Sequence, residues 1–284
     1  MASRTSTVTG SYVWPDGHSW GFALTIDVDA ETPMLWRLRG KRTDTAAERE
    51  YRRFGLRQGV ERLLGMLDDL EMRATFFVPA YVAEHNPELV PTIARLGHEV
   101  GLHGYIHEDV QELDEAANRE VLRRSIGILG EQLGHSPVGY RSPSWKMTEF
   151  LPDLLCAHSV TYDSSLMGYE HPYSFRGITE LPVSWTADDA TYFFYLGNGN
   201  DIGPPWPAAL VEQAWRDEIA AARRFSNLLC LTLHPWIVGR GHRIQALERV
   251  LQKVKQDASV FRATCQAIAD YHRQSANRDR YVAD

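Results

Sequence analysis

The stretch Trp20-Gly-Phe-Ala-Leu-Thr-Ile-Asp-Val-Asp29 decides the fold, because it joins an apolar segment to two acids at its end. Its apolar and β-compatible residues are typical of a buried strand. Side chains two apart on a strand share a face, so Asp27 and Asp29 would point into one space while Ile26 and Val28 pack the other way. The stretch therefore predicts the first strand of a buried sheet, ending in a pair of carboxylates.

Helical and strand patterns alternate downstream of this first strand. Leucines at helical spacing predict a helix from Gly59 to Leu70, and Ala74–Pro79 is typical of a short buried strand. The same order continues with predicted helices at 87–96, 112–133, 148–158 and 207–225, and predicted strands at 98–102, 137–140, 160–162 and 227–233. This alternation indicates an α/β protein whose parallel sheet is covered by helices. About seven strands are compatible with a distorted (β/α) barrel.

Residues 30–58, between the first strand and the first predicted helix, form a long polar connection. The part from Thr32 to Arg53 is rich in arginine and too long for an ordinary connection. We expect an active-site loop or an interface loop here, although its alternating charges could equally be plain solvation. The whole chain, residues 1–284, is expected to form a single catalytic domain.

The amino-acid composition limits the kinds of molecule that the protein is expected to bind. The 284 residues are 44% hydrophobic and 24% charged, with a formal net charge of -7, which argues against nucleic acid or an anionic membrane as the main partner. The first 20 residues lack the apolar core of a signal peptide, and no run of about 18 apolar residues occurs, so we expect a cytoplasmic protein. Cys156, Cys230 and Cys265 stand far apart in apolar stretches and are expected to be buried thiols.

Polar side chains follow several predicted strands at the point where each strand ends. In parallel barrels these carboxyl ends meet on one side, where the chemistry takes place. The residues concerned are Asp27, Asp29, His103, His107, Arg141 and His234. Their convergence is a stronger signal than any single motif.

His103 and His107 are four residues apart, a separation that places two imidazoles on one side of a helical turn. Alone, the spacing fits a surface turn as well as a metal site. Asp27 and Asp29 favour the metal site, because two like charges side by side are costly without a cation. The alternative is a pair of solvated acids at a strand end.

Two histidines and one carboxylate would leave open positions for water and substrate, as in a catalytic rather than a structural site. One aspartate could bind the metal while the other takes a proton from water. The set suits one divalent ion: zinc, with cobalt, manganese, nickel and iron as alternatives.

Arg141 and His234 complete the candidate site. Arg141 lies in a turn-rich segment, where its guanidinium could fix a neighbouring carboxylate or make an ordinary surface salt bridge. His234 lies between an apolar strand and Pro235, where it could be structural or could protonate a departing amine. Aromatic residues, Trp145 and Trp236 among them, could wall a pocket or fill the core. No Gly-x-Ser-x-Gly elbow and no nucleotide-binding glycine loop is present.

Taken in order, four motifs resemble the polysaccharide deacetylase family, the superfamily of the nodulation chitooligosaccharide deacetylases. They are Thr25-Ile-Asp-Val-Asp29, His103-x3-His107, Arg141-Ser-Pro143 and Leu231-Thr-Leu-His-Pro235. The resemblance spans residues 14–260. The stretches 74–79, 98–103, 139–145 and 162–166 are similar to one branch, which contains peptidoglycan deacetylase-like proteins, metal-independent allantoinases and cyclic imide hydrolases.

The resemblance implies a distorted (β/α) barrel and a role for each motif residue. Asp29, His103 and His107 would be the metal ligands, Asp27 the general base, Arg141 the group that orients that base, and His234 the general acid. Ser144, Trp145, Leu231 and Trp236, which flank the motifs, are expected to bind substrate. In the wider family the two aspartates of the first motif are adjacent, whereas Val28 separates them here. The complete ligand set counts against the metal-free arrangement.

The expected activity is metal-dependent hydrolysis of a non-peptide carbon–nitrogen bond, as in N-deacetylation of an N-acetylated sugar. The lack of an export signal favours a small cytosolic substrate, so ring opening of cyclic imides or ureides is the alternative. A non-catalytic binding protein would lack catalytic groups, and none is missing. The resemblance also implies a homotetramer, in which the 30–58 segment could help to close a neighbour's pocket.

Overall fold

The computed structural model describes residues 12–41, 46–197, 201 and 203–283. Residues 1–11, which belong to the segment searched for an export signal, lie outside this range, as do residues 42–45 of the 30–58 segment. Among the described residues, no helix combines the length and apolarity needed to span a bilayer.

One continuous sheet of ten strands organises the chain. The strands are β1 (Trp20–Asp27), β2 (Thr75–Val78), β3 (Glu99–Leu102), β4 (Gly139–Tyr140), β5 (Tyr162–Asp163), β6 (Tyr173–Phe175), β7 (Ile178–Glu180), β8 (Leu228–Leu233), β9 (Val260–Arg262) and β10 (Val282–Ala283). Their order is β10-β6-β7-β5-β4-β3-β2-β1-β8, and β9 pairs with β1. The run of seven strands from β7 to β8 is parallel throughout. The predicted parallel α/β architecture is confirmed.

Helices fill the connections between the strands. They are α1 (Thr32–Leu38), α2 (Ala46–Phe54), α3 (Val60–Asp69), α4 (Ala80–His85), α5 (Leu89–Arg95), α6 (Glu115–Leu133), α7 (Leu151–Ala157), α8 (Asp189–Phe193), α9 (Ala208–Phe225), α10 (Pro235–Val238), α11 (Gly241–Gln256) and α12 (Cys265–Gln274). Helix α6 is an example of a helix whose two ends are determined by nearby residues. The Asp114 side chain accepts a hydrogen bond from the Ala117 N–H, and Gly134 closes the helix with φ 77°.

The two faces of β1 have different surroundings, as the alternation of its side chains predicts. Phe22, Leu24 and Ile26 join the apolar core that the helices cover. Thr25 faces the other side, where the Arg141 guanidinium donates a hydrogen bond to its hydroxyl at 2.8 Å. Arg141 follows β4, three places from β1 in the sheet, so this contact shows that the sheet curls back on itself. The described strands do not join β8 to β10, which makes the barrel distorted and open.

Three sequence-based expectations need correction. The 30–58 segment is not a loop, because α1 and α2 occupy most of its described part. Cys156 is exposed, whereas Cys230 and Cys265 are buried as expected. The prediction also missed the antiparallel pair β6–β7, which follows β5 and interrupts the regular alternation.

A buried carboxyl pair lies beneath the loop after β4. Glu180 Oε1 accepts hydrogen bonds from the backbone N–H groups of Ser165 and Leu166, both at 2.8 Å. Ser165 Oγ donates to Asp163 Oδ1 and accepts from the Ser142 N–H, again at 2.8 Å. Burial and the neighbouring Asp163 raise the pKa of Glu180 well above its ordinary range. The pair thus anchors the loop that carries Arg141.

Candidate active site

The predicted site residues come together at the carboxyl ends of the parallel strands. Asp27 ends β1 and Asp29 follows it; His103 and His107 lie in the turn after β3. Arg141 follows β4 and His234 follows β8. The histidine pair lies in a turn rather than on a helix, and His107 has φ 56°.

Asp29, His103 and His107 form a compact group of metal-ligand type, whose ligand atoms all lie within 4.8 Å of one another. His103 Nε2 is 3.3 Å from Asp29 Oδ1, and His107 Nε2 is 3.8 Å from Asp29 Oδ2. His103 Nδ1 donates a hydrogen bond to the Arg141 carbonyl at 2.8 Å, which directs the Nε2 lone pair towards Asp29. Asp29 Oδ1 is buried and accepts no hydrogen bond from the described residues. Two nitrogen lone pairs beside an unpartnered carboxylate oxygen fit a divalent metal ion.

The turn that carries both histidines is held by Glu108, which sequence reasoning missed. Its carboxylate accepts hydrogen bonds from the Tyr105 N–H at 3.0 Å and from the Ile106 N–H at 2.8 Å. Gly104 has φ 66°, and a Cβ atom there would lie 2.5 Å from Glu108 Oε1. A glycine is therefore needed at this position, for both its backbone conformation and its lack of a side chain.

Asp27 is held by Arg141. The guanidinium is fully buried, and its Nη1 donates to Asp27 Oδ1 at 2.8 Å. The Nε group donates to the Ser164 carbonyl at 2.9 Å, which fixes the plane of the guanidinium. Asp27 Oδ2, 3.9 Å from His103 Nε2, is left facing the ligand group. One oxygen of Asp27 is thus used for positioning, and the other is free to act on a bound molecule.

His234 lies on the opposite side of Asp29 and is held by two acids that sequence reasoning missed. Its Nδ1 donates to Asp189 Oδ1 at 2.6 Å, and its backbone N–H donates to Asp189 Oδ2 at 2.9 Å. Asp188 Oδ1 is 3.6 Å from the same nitrogen. Burial disfavours the imidazolium, but these carboxylates outweigh it and raise the pKa of His234 well above its ordinary range. His234 Nε2 points inward, 3.7 Å from Asp29 Oδ2.

Ser144 lies beside the candidate site, and Trp145 follows it in the chain; that they bind substrate stays a prediction. Ser144 is exposed and, together with His107 and Trp36, lines a pocket of about 530 Å³. The Trp145 ring lies against Trp185, with the ring centroids 4.5 Å apart.

Leu231 and Trp236 are both buried. The prediction that Leu231 binds substrate is wrong, because it is 1% exposed and packs with Leu229 in the apolar core on the helix-covered side of β8. Trp236 is 2% exposed, and the guanidinium of Arg52 lies 4.5 Å from its ring centroid. Helix α2 therefore covers Trp236.

Comparison with known proteins agrees with this arrangement. The family model described as polysaccharide deacetylase matches residues 49–162. A peptidoglycan deacetylase from Helicobacter pylori is 25% identical over an alignment of 279 positions, which covers 87% of this chain and 94% of the relative. The crystal structure of PuuE allantoinase shares the fold, with TM-score 0.80 and 20% identity over 92% of this chain and 93% of that one.

A crystal structure from Mycobacterium smegmatis, provisionally assigned as a polysaccharide deacetylase, is more similar in sequence. It has TM-score 0.87 and 38% identity, and the alignment covers 93% of each chain. A likeness of this extent in sequence and structure, together with the family match, shows a shared family. The chain belongs to the polysaccharide deacetylase family.

Proposed function

We propose that the chain is a metal-dependent hydrolase of non-peptide carbon–nitrogen bonds that removes the N-acetyl group of an amino sugar. One observation carries the proposal. Asp27, held by Arg141, and His234, held by Asp189, lie on opposite sides of Asp29 in the metal-ligand group. Amide hydrolysis needs a proton acceptor for water and a proton donor for the leaving nitrogen, and this arrangement supplies both.

Each residue then has a defined task. A divalent ion held by Asp29, His103 and His107, for which zinc is our first choice, would supply the positive charge that polarises the substrate carbonyl and acidifies water. Asp27 takes the proton of the attacking water on Oδ2, because Oδ1 already accepts from Arg141. His234 gives its Nε2 proton to the leaving nitrogen, since its Nδ1 proton is held by Asp189.

The relatives favour deacetylation as the first candidate, because a curated relative over most of the chain is named a peptidoglycan deacetylase. A second candidate is ring opening of a small cyclic imide or ureide. The pocket beside His107, of about 530 Å³ and partly walled by α1, is of a size that also accommodates a small ring. The homotetramer and the cytoplasmic location stay predictions.

The test compares two reactions on one preparation. Acetate release from N-acetylglucosamine oligomers is measured beside ring opening of succinimide, dihydrouracil and allantoin. Each reaction is followed in the protein as purified, after chelation, and after addition of zinc or another divalent metal. We expect one reaction to dominate, to vanish on chelation and to return with metal, while the Asp27→Asn variant stays inactive. Full turnover in protein verified to be metal-free would contradict the proposal.

A further inference from the structure

Arg52, on helix α2, is a buried cation that the proposed mechanism does not use. The residue is only 4% exposed, although the nine residues of α2 are mostly polar and charged. Its Nε donates a hydrogen bond to Glu48 Oε1 at 2.9 Å. Within the described part of the chain, no acceptor takes a hydrogen bond from its two Nη groups. A guanidinium offers five N–H donors, so four of those of Arg52 have no acceptor among the described residues.

The guanidinium lies beside the candidate active site. Its carbon is 4.5 Å from the Trp236 ring centroid and 5.8 Å from that of Phe194. Trp236 follows His234 by two residues, so this aromatic surface adjoins the proposed proton donor. Arg52 also interacts electrostatically with Asp29 and His107. The free edge of the guanidinium is therefore within reach of a molecule whose amide group lies at the metal-ligand group.

Among the described residues, Arg52 shares its salt-bridge partner, Glu48, with a second arginine. Glu48 also accepts a hydrogen bond from Arg37, so that two guanidinium groups share one carboxylate and the trio carries one net positive charge. Arg37 lines the pocket beside His107, and Lys41 lies on the same wall. Burying a guanidinium is costly unless an anion or a set of acceptors compensates it. Glu48 is one carboxylate shared by two guanidinium groups, which are buried or partly buried. A second anion that binds here would balance the remaining positive charge.

We propose that Arg52 is the anchor for a carboxylate of the substrate, so that the natural substrate carries an acid group in addition to the amide that is hydrolysed. A carboxylate matches the forked geometry of the two free Nη groups, which a lysine could not reproduce. This inference rests on the proposed function for the position of the scissile amide. It applies equally to an N-acetylated sugar acid and to an acidic cyclic amide, and the experiment separates these two sources.

The experiment uses two pairs of ligands that differ by one carboxylate. N-acetylmuramic acid is compared with N-acetylglucosamine, and dihydroorotate with dihydrouracil. Binding of each to the full chain is measured by calorimetry, and hydrolysis is followed separately. The variants are Arg52→Met, which keeps the bulk, Arg52→Lys, which keeps the charge, and Arg57→Met as the control. Arg57 is an exposed arginine of the same segment, paired with Glu50.

We expect the wild type to prefer the acidic member of one pair, and that pair identifies the source of the carboxylate. Arg52→Met should weaken binding of this acidic ligand by about 10-fold to 100-fold, as expected for loss of a charge-assisted pair. Arg52→Lys should recover part of the loss, while binding of the neutral member and all binding to Arg57→Met should stay within about twofold. An unchanged affinity for the neutral ligand shows that Arg52→Met has not collapsed the site.

The inference is overturned by a wild type that prefers the acidic member of neither pair, and also by an Arg52→Met variant that loses affinity equally for acidic and neutral ligands. The second result would mean that Arg52 only holds α2 in place. If the acidic ligand binds through Arg52 but no ligand is hydrolysed, the anchor stands and the proposed function fails. If the ligands are hydrolysed without any effect of Arg52, the proposed function stands and the anchor fails.

Discussion

The substitution Asp189→Asn tests the proposed proton donor, because it removes the charge beside His234 together with one of the two hydrogen bonds that Asp189 accepts from this residue. Asn has nearly the same shape as Asp and can still accept a hydrogen bond from His234 Nδ1, 2.6 Å away in the native protein. The Asp189 side chain is fully buried and that of His234 is 11% exposed, so solvent screens the lost charge very little. The change should therefore act on the imidazolium and leave the metal-ligand group unchanged.

The expected size follows from the strength of the hydrogen bond. A bond to a charged group contributes about 1.5–3 kcal/mol and a neutral one about 0.5–1.5 kcal/mol, so the charge itself contributes about 1–1.5 kcal/mol. Where the pH exceeds the pKa of His234 in the variant, the protonated fraction, and with it kcat for an amide, should fall by up to about 5-fold to 10-fold. Removing the donor altogether, in His234→Asn, should cost about 100-fold to 10,000-fold. The two variants thus form a graded series.

The assay compares an amide with an activated ester. Acetate release from an N-acetylated amino sugar needs a protonated leaving nitrogen, whereas 4-nitrophenyl acetate releases a stable phenolate without help. Both Asp189→Asn and His234→Asn should slow the amide much more than the ester. Losing the carboxylate lowers the pKa of His234, so the protonated donor disappears at lower pH. The alkaline limb of the kcat profile of Asp189→Asn should therefore move to lower pH.

Equal losses for the amide and the ester would refute this reasoning, because they would place His234 in binding or in metal retention rather than in proton donation. An alkaline limb that stays in place would refute the role of Asp189. Metal content, measured by elemental analysis, is the control for both variants and should equal that of the wild type.

Four further substitutions probe other parts of the structure. His103→Ala should lose the metal, whereas Asp27→Asn should keep it and lose at least about 100-fold in kcat, as elemental analysis and kinetics on the same samples would show. Gly104→Ala forces a side chain against a carboxylate in a left-handed conformation, so urea unfolding should show a loss of about 1–3 kcal/mol, unlike Gly65→Ala in the open interior of α3. Glu180 prefers its protonated form in the fold, so the stability it contributes below about pH 4.5 falls by up to about 1.4 kcal/mol per pH unit above it. Urea unfolding from pH 5 to 8 should show that Glu180→Gln lacks this slope, and parallel slopes would contradict the assignment.

Much of the site could be predicted because strand geometry brings it together. Parallel strands place their carboxyl ends on one side, so a polar residue after each apolar run already indicated a common centre. The same geometry explains the error at Leu231. Alternate residues of β8 face opposite sides, and Leu231 shares the side of Leu229 and Leu233 in the helix-covered core. Closeness to His234 along the chain is therefore not enough to predict that a side chain faces the candidate site.

The residues that the sequence did not reveal lie where no regular pattern reports them. Asp189 begins the short helix α8, which follows the irregular part of the chain after β7. Arg52 lies in α2, where five of the nine residues are charged, so that the sequence resembles a solvated segment. Hydrophobic periodicity marks apolar faces, so a charged side chain buried by tertiary contacts leaves no trace in it.

Arg141 serves the two halves of the site with different parts of the same residue. Its side chain holds Asp27, while its backbone carbonyl holds His103. Every residue has a carbonyl, so a substitution here would remove the first support and spare the second. Under the proposed function, a gene duplicate with this single change would keep the support of its metal ligand His103 and would leave the base Asp27 without the contact that positions it. The fold thus contains a one-step evolutionary route from an enzyme to a protein that only binds, and the sequence mark of that step would be the residue at position 141.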